Sequence, residues 1–252
     1  MKKSLLSIVT LSLLVASTSS FAAQIAPSPL IGPEFSKGKG QGRVEVTYIN
    51  YENVYGGGVQ GAKRFALSDT FALMPSLGVY HLSGDHSYSD ATAGKVKLDM
   101  DYTFASGGLR AEVQKKLEPV NFIVFGGGLF HYGESKDTTT STSFGLENTK
   151  STDKGLGWEA GIQAAIKTGS IMTTLFYKYD VMRVDTENED DPNNQTITEA
   201  NQKFTFKSST LGIDLLFPNG ISLSALYGML DQPQGEDGQD VDITIIKLGY
   251  SF

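Results

Sequence analysis

The stretch ITIIKLGYSF, residues 243–252, alternates apolar side chains with small or charged ones from Ile246 to Phe252. One face carries Phe252, Tyr250, Leu248, Ile246 and Thr244, and the other carries Ser251, Gly249 and Lys247. A period of two predicts a β-strand with one apolar face. The rest of the sequence has to indicate what that face contacts.

The N-terminal residues have the layout of a secretory signal peptide. Lys2 and Lys3 precede an apolar run from Leu5 to Val15, and small residues follow in STSSFAAQ (17–24). The run is too short for a membrane-spanning helix. Cleavage after Ala22 leaves small residues at both positions that the peptidase reads. We therefore expect residues 1–22 to be removed and the protein to be exported.

Composition excludes several classes of function. The sequence contains no cysteine, so disulfides and thiolate metal sites are excluded. The formal charge of −7 becomes −9 when Lys2 and Lys3 are removed, and no basic block is present, which argues against nucleic acid as a partner. Beyond the signal peptide no apolar run approaches the roughly 20 residues of a membrane helix.

The mature chain divides into a leader and a series of strands. Residues 23–42, AQIAPSPLIGPEFSKGKGQG, are rich in Pro and Gly and predict an irregular leader. From Arg43 to Phe252 the pattern changes to period-two segments without a sustained helical period. Ten such segments are predicted: 43–52, 56–67, 70–81, 96–116, 119–133, 155–167, 171–184, 203–217, 221–230 and 241–252.

The connections between these segments alternate in length. Those at 67–70, 116–120, 167–170 and 217–220 are tight, whereas those at 83–94, 134–154, 186–202 and 231–240 are long and polar. Tight turns at one end and long loops at the other are typical of barrels in an outer membrane, where the short turns are periplasmic. A β-sandwich has no reason to sort its loops in this way.

The segment 96–116 is too long for one bilayer crossing of about 9–11 residues. Its apolar residues also change phase at SGG (106–108), with Phe104 in one phase and Leu109 in the other. This pattern predicts a glycine bulge between a membrane part, 106–116, and an extension above it, 96–105.

The C-terminal strand, with Leu248, Tyr250 and the terminal Phe252 in phase, resembles the closing strand of small bacterial outer-membrane β-barrel proteins of the porin-family type. The signal peptide, the sorted loops and glycine-rich strands such as NFIVFGGGLFHYG (121–133) extend the resemblance over nearly the whole chain. It implies a Gram-negative outer membrane, a periplasmic leader, and a transmembrane up-and-down antiparallel barrel over residues 43–252. We expect ten strands, with eight as the alternative.

The resemblance also implies partners. In that family the barrel-assembly machinery reads the last strand, here through Leu248, Tyr250 and Phe252. Lipid and lipopolysaccharide would surround the barrel, which is expected to be a monomer without a cofactor. Rings near the strand ends would form aromatic girdles: Tyr48, Tyr51, Phe65, Phe71, Tyr177, Tyr179, Tyr227, Tyr250 and Phe252.

If the apolar faces point to lipid, a balanced set of charges points into the lumen. Arg43, Arg64, Arg110, Lys178 and Lys247 would face Glu45, Glu112, Glu159, Asp180 and Asp214. The phase of the strand carrying Arg64 is ambiguous, because the other phase would instead turn Lys63 inward. Unpaired charge in a narrow lumen is costly, so the balance favours a salt-bridged plug. A narrow channel lined by mixed charge is the alternative.

Enzymatic chemistry has few candidate residues. His81 and His86 are predicted at the outer end of the third strand, and His131 at the matching end of the fifth. With nearby Ser, Asp and Glu residues they could serve a lipid or peptide hydrolase. The pattern of the outer-membrane protease family is incomplete, because the loops at 186–202 and 231–240 contain no histidine. The acidic run TENEDDPNN (186–194) lacks the spacing of a calcium loop, so no metal site is predicted.

Three classes of function follow. The first is a non-enzymatic membrane protein, either structural or a narrow passive channel for small solutes. The second is a surface adhesin or receptor that acts through the loops at 134–154 and 186–202. The third is an outer-leaflet hydrolase that uses the rim histidines.

Overall fold

The computed structural model describes residues 41–51, 53–90, 94–141, 145–189, 202–231 and 241–252. Within these ranges ten strands form one closed barrel, so the prediction of ten strands is confirmed over the alternative of eight. The strands are β1 (Gln41–Tyr51), β2 (Val54–Ala66), β3 (Phe71–Asp90), β4 (Gly94–Leu117), β5 (Val120–Ser141), β6 (Gly145–Thr168), β7 (Ile171–Glu189), β8 (Gln202–Leu216), β9 (Ile221–Asp231) and β10 (Val241–Ser251).

Each strand pairs antiparallel with the next, and β1 pairs with β10 to close the barrel. In the closing pair Val46 lies opposite Leu248 and Val44 lies opposite Tyr250. The predicted signal peptide and residues 23–40 of the leader lie outside the described residues. Gln41 and Gly42, which the sequence pattern assigned to the leader, belong to β1. The described residues include no helix that could cross a membrane.

Side chains alternate strictly between the two faces of the wall. On β1, Arg43, Glu45 and Thr47 are buried inside, whereas Val44 and Val46 are exposed outside. The same alternation on the other strands produces a continuous apolar belt around the barrel. Its exposed members include Val59, Val79, Leu109, Val124, Leu156, Leu175, Leu211, Leu223 and Leu248.

The predicted glycine bulge in β4 is wrong. The pairing of β4 with β3 runs from Asp90–Gly94 to Phe71–Val113 without an inserted residue, and its pairing with β5 is equally continuous through Ser106 and Gly108. The change of phase is a change of environment instead. Phe104 points into the barrel, whereas Leu109 points outward into the belt.

Two of the predicted long loops are largely strand. The hairpins β3–β4 and β5–β6 continue well beyond the apolar belt, and only residues 91–93 and 142–144 lie between their arms. Their outward positions are polar, as at Thr103, Glu134 and Lys154. Outside the belt a strand needs no apolar outer face, so the period-two signal of hydrophobicity disappears while the strand continues. Of the other long loops, 190–201 and 232–240 lie outside the described residues.

Because β3–β7 extend further than the other strands, the wall of the barrel has two heights. These strands have 20, 24, 22, 24 and 19 residues, against 11 for β9 and β10. We call the part of β3–β7 that rises beyond the apolar belt the projecting sheet (residues 81–90, 94–104, 133–141, 145–154 and 183–189). The end of the barrel that carries the tight turns is its turn end.

Candidate functional site

The ten predicted lumen charges all lie inside the barrel. Each is at most 3% exposed, including Arg64, whose phase the sequence left ambiguous: Arg43, Glu45, Arg64, Arg110, Glu112, Glu159, Lys178, Asp180, Asp214 and Lys247. They form two groups of ion pairs, one around β1 and one that runs from β2 to β7.

The first group joins β1 to β8 and β10. Arg43 donates two hydrogen bonds to the carboxylate of Asp214, at 2.9 and 3.2 Å. Its Nη1 also lies 3.3 Å from Oε1 of Glu45, and Nζ of Lys247 lies 3.4 Å from Oε2 of the same glutamate. Ser224 donates to Asp214 at 2.7 Å, and the side-chain amide of Gln60 donates to Glu45. The two carboxylates therefore each receive a cation and hydroxyl or amide donors, as buried ions require.

The second group runs from β2 across β4 to β6. Arg64 donates to Glu112 at 2.7 Å, and Arg110 donates to Glu159 at 2.9 and 3.3 Å. The guanidinium of Arg110 also lies 3.9 Å from the ring centroid of Phe125, a cation–π contact. A planar guanidinium suits such a paired and stacked environment better than an ammonium group.

Lys178 on β7 extends this second group. Its Nζ lies 2.8 Å from Oδ2 of Asp180 and 3.7 Å from Oε2 of Glu159. Ser208 donates to Asp180 at 3.2 Å. Glu159 is thus shared between a lysine and an arginine on different strands, which ties three strands together inside the barrel.

Apolar layers lie on both sides of the charges. Toward the turn end, Ala165, Met172 and Leu216 pack together. Toward the other end lies a larger apolar layer in which Tyr80 and Phe104 stack with their ring centroids 4.9 Å apart. That layer contains Ile49, Tyr80, Leu82, Tyr102, Phe104, Phe176, Met182, Val184, Phe206, Leu226, Leu230, Ile243 and Ile245. Side chains therefore fill the described lumen in successive layers.

The structure separates the rim histidines. His81 is exposed on the outer surface, where Nδ1 lies 3.0 Å from the hydroxyl of Thr103 and 3.8 Å from the carboxylate of Asp101. His131 is buried on the inner face, at 3% exposure. The side chain of His86 lies outside the described residues. His81 and His131 therefore share no site.

His131 belongs to a buried polar chain that the sequence analysis missed. Its Nε2 lies 2.7 Å from the hydroxyl of Tyr102, which donates to Asp153 at 3.1 Å. Thr186 donates to the other oxygen of Asp153 at 2.6 Å. The chain connects β4, β5, β6 and β7 on the inner face, near the base of the projecting sheet.

A second buried carboxyl lies above this chain. Asp137 accepts a hydrogen bond of 3.1 Å from Ser135, whose hydroxyl is 2.6 Å from that of Ser151. Burial raises the pKa of Asp137 to about 7; the negative charges of Asp153 and Asp101 add to this rise, and the hydrogen bond from Ser135 opposes it. Hydrophobic alternation could not reveal these positions, because both faces of the strand are polar in this part of β5.

Six of the nine rings predicted for the aromatic girdles are exposed. Tyr48, Phe65, Tyr177, Tyr227, Tyr250 and Phe252 all lie on the outer surface, and the side chain of Tyr51 lies outside the described residues. Trp158, which the prediction omitted, is also exposed there, with its ring 5.9 Å from that of Tyr179. Its position on β6 resembles that of an interfacial ring in a membrane barrel.

The three residues of the predicted assembly signal lie on the outer surface of β10 and just beyond it. Leu248, Tyr250 and Phe252 are 59%, 55% and 62% exposed. Phe252 and Gly42 exchange two backbone hydrogen bonds of 2.9 Å, which extend the closing pair past Ser251. The described residues contain no cluster of three or more His, Asp or Glu side chains that could hold a metal ion.

Solved structures that are similar to this barrel include bacterial outer-membrane proteins. The outer membrane protease OmpT of Escherichia coli is similar at 9% identity, over 84% of this chain and 93% of that chain, with a TM-score of 0.50. A major outer membrane protein of Thermus thermophilus matches at 14% identity over 85% and 100%, with a TM-score of 0.41. LpxR of Salmonella typhimurium matches at 9% identity over 83% and 100%, also with a TM-score of 0.41.

No family model and no curated protein sequence matches this chain. At such low identities the structural similarity concerns the fold alone, and that fold is shared by enzymes and other proteins. The chain has the closed up-and-down barrel fold of bacterial outer-membrane proteins.

Proposed function

We propose that this protein is an integral outer-membrane barrel without enzymatic activity, whose filled lumen makes it a structural membrane protein rather than an open channel. The observation that carries the proposal is the combination of an apolar outer belt with an inner set of ten buried, paired charges. In water this arrangement would be inverted, because charged side chains would face the solvent and apolar ones the core.

Membrane insertion follows from the energetics of the outer surface. Valine, leucine and aromatic side chains cover it on every strand, and their burial in lipid is favourable by about 25 cal/mol per Å². Closure of the barrel leaves no strand edge within the belt, as a bilayer demands of a β-structure. The outer surface suits contact with lipid and lipopolysaccharide. One chain is sufficient to close the barrel.

The packing of the lumen supports a closed state. Arg110 and Lys178, which a conducting pore would have to hydrate, are each 1% exposed. The apolar layer around Tyr80 and Phe104 lies in the same passage. Ions crossing this lumen would have to break several buried pairs, each of which costs several kcal/mol when one partner is left alone.

Conductance of the refolded mature chain, residues 23–252, in a planar bilayer of neutral lipid tests this proposal. Migration on a gel that changes on heating would first establish the folded barrel, and a wide porin in the same bilayer would verify detection. We expect a heat-modifiable protein without conductance steps. Discrete steps from the unmodified protein would replace the structural role with a channel, and a failure to enter lipid would contradict membrane insertion.

A second candidate function is binding at the cell surface. The projecting sheet presents polar outward positions well beyond the belt, so this part of the described chain has room to contact another molecule outside the membrane. Shortening the hairpin β5–β6 by deleting residues 135–151 would leave the belt intact. Loss of adhesion with retained heat-modifiable migration would favour this role, and unchanged adhesion would exclude that hairpin.

Hydrolase activity receives no support from the described geometry. His81 and His131 lie on opposite faces of the wall, and the partners of His131 are buried with it. A hydrolase needs its base and nucleophile beside one accessible substrate. Loss of lipid or peptide cleavage on His131→Ala, after cleavage is seen with the unmodified protein, would restore this hypothesis.

A further inference from the structure

The inner face of the projecting sheet holds a carboxyl group in surroundings that suit its neutral form. Asp137 is 3% exposed, and its partner in the register on β4 is the apolar Met100. Its one described hydrogen bond comes from the hydroxyl of Ser135. Among the described residues no lysine or arginine forms an ion pair with it. A buried carboxylate without a cation is costly, whereas the protonated acid is not.

On the inner face the titratable groups around Asp137 are acidic or neutral, whereas Lys136 on its own strand and Lys150 on β6 lie on the outer face. On β6, Asp153 lies on the same inner face, one row of the ladder beyond Ser151. On β4, Tyr102 is buried below it and Asp101 lies on the opposite face. On its own strand, His131 is buried further down. From β7, Thr186 approaches Asp153 with a neutral hydroxyl group.

We propose that Asp137 is a proton-controlled latch, which holds the hairpin β5–β6 closed when the carboxyl is protonated and releases it when the carboxyl is charged. Opening requires the separation of Ser135 from Ser151 and of this hairpin from β4, so that water reaches the carboxylate. The tall part of the wall would then respond to the acidity outside the cell. This device is independent of the proposed structural role, because it lies beyond the apolar belt.

The direction of the response follows from the protonation states. The pKa of Asp137 is about 7 in the closed hairpin, against 3.8 for an ordinary aspartate, so the closed form binds the proton more tightly. Its contribution to the closed form is complete below about pH 4, declines as the pH rises between these two values, and is lost above about pH 7.

Amide hydrogen exchange of the barrel in neutral vesicles, at pH 5 and pH 8 and corrected for intrinsic rates, tests the latch. We expect opening of 133–141 and 145–154 to increase by about tenfold or more at pH 8, while the strands within the belt stay unchanged. Asp137→Asn should keep the hairpin closed at both pH values. The matched control is Glu134→Gln, which neutralises an exposed carboxylate on the same strand and should retain the wild-type response.

Two outcomes would overturn the latch. One is equal protection of the wild-type hairpin at pH 5 and pH 8. The other is a pH response in Asp137→Asn as large as that of the wild type, which would assign the titration to another group. If Asp137→Asn does not fold, Ser135→Ala provides a second test. It removes the hydrogen bond that favours the charged form and also the contact with Ser151. Opening should therefore increase at both pH values, and the ratio of opening at pH 8 to opening at pH 5 should exceed that of the wild type.

Discussion

Arg43 on the first strand and Asp214 on the eighth are joined by two hydrogen bonds, although 171 positions separate them in the sequence. Strands β10 and β9 lie between them in the wall, so the contact is made through the lumen. The contact therefore ties β1, which closes the barrel with β10, to β8, the second strand beyond β10 in the wall. The bidentate geometry adds orientation to attraction.

Removing one partner of this pair should destabilise the barrel strongly. Asp214→Ala leaves Arg43 buried with the more distant Glu45 as its remaining carboxylate, which we expect to cost about 3–5 kcal/mol. Urea unfolding in neutral vesicles, followed by fluorescence of the single tryptophan Trp158, measures the loss. Asp69→Ala, at an exposed position in the turn between β2 and β3, is the control. Equal midpoints for the two variants would contradict the role of the pair.

Replacing both partners with apolar residues should cost much less. Arg43→Met combined with Asp214→Leu removes the uncompensated charge along with the attraction, and such replacements are often close to neutral. Glu45 would keep Lys247 as its cation. We expect the double variant to regain most of the stability that Asp214→Ala loses, by the same urea measurement. A double variant as unstable as the single one would mean that the pair has a net stabilising value of its own.

Two glycines of the wall should differ sharply in their tolerance of a side chain. A side chain at Gly212 would collide with the ring of Phe176 inside the barrel, whereas one at Gly128 would meet nothing within 4 Å. Gly212→Val should therefore cost about 1–3 kcal/mol or prevent folding, because overpacking displaces a buried ring. Gly128→Val should be tolerated. Heat-modifiable migration after refolding compares the two, and equal folding yields would argue against a tightly filled lumen.

Because β4 is continuous, substitutions on its two faces beyond the apolar belt should have different effects on local stability. Leu98 is fully buried on the inner face, and Lys97 beside it is exposed and paired with Asp99. Leu98→Ala should lower the protection of the projecting sheet by about 2–5 kcal/mol of local stability. Lys97→Ala should change it little, because the ion pair with Asp99 is exposed to water. Amide hydrogen exchange of residues 94–104 distinguishes this arrangement from a bulged strand, in which the effects of the two substitutions would be reversed or equal.

Phe252 should matter more for assembly in the cell than for stability. Its ring is 62% exposed on the outer surface, so truncation removes few internal contacts, and the backbone bonds to Gly42 remain. We expect Phe252→Ser to reduce the amount of barrel in the outer membrane, with an unchanged urea midpoint after refolding in vitro. Phe65→Ser, an exposed ring near the turn end of β2, is the control. Equal amounts of both variants in the membrane would remove Phe252 from the assembly signal.

The sequence alone determined the alternation of faces. Val44, Val46 and Leu248 point outward and Arg43, Glu45 and Lys247 point inward, as their period of two requires. The strand number followed from the same pattern and from the turns. These features are local, because a strand places successive side chains on opposite faces whatever its neighbours are.

Only the tertiary structure decided the partners and the environment. Arg43 meets Asp214 because the barrel closes, and no spacing in the sequence predicts a contact across the lumen. The phase change at 106–108 in β4 likewise has two interpretations, a bulge or a passage out of the apolar belt. The register selects the second, because what surrounds a strand, lipid or water, decides which face is apolar.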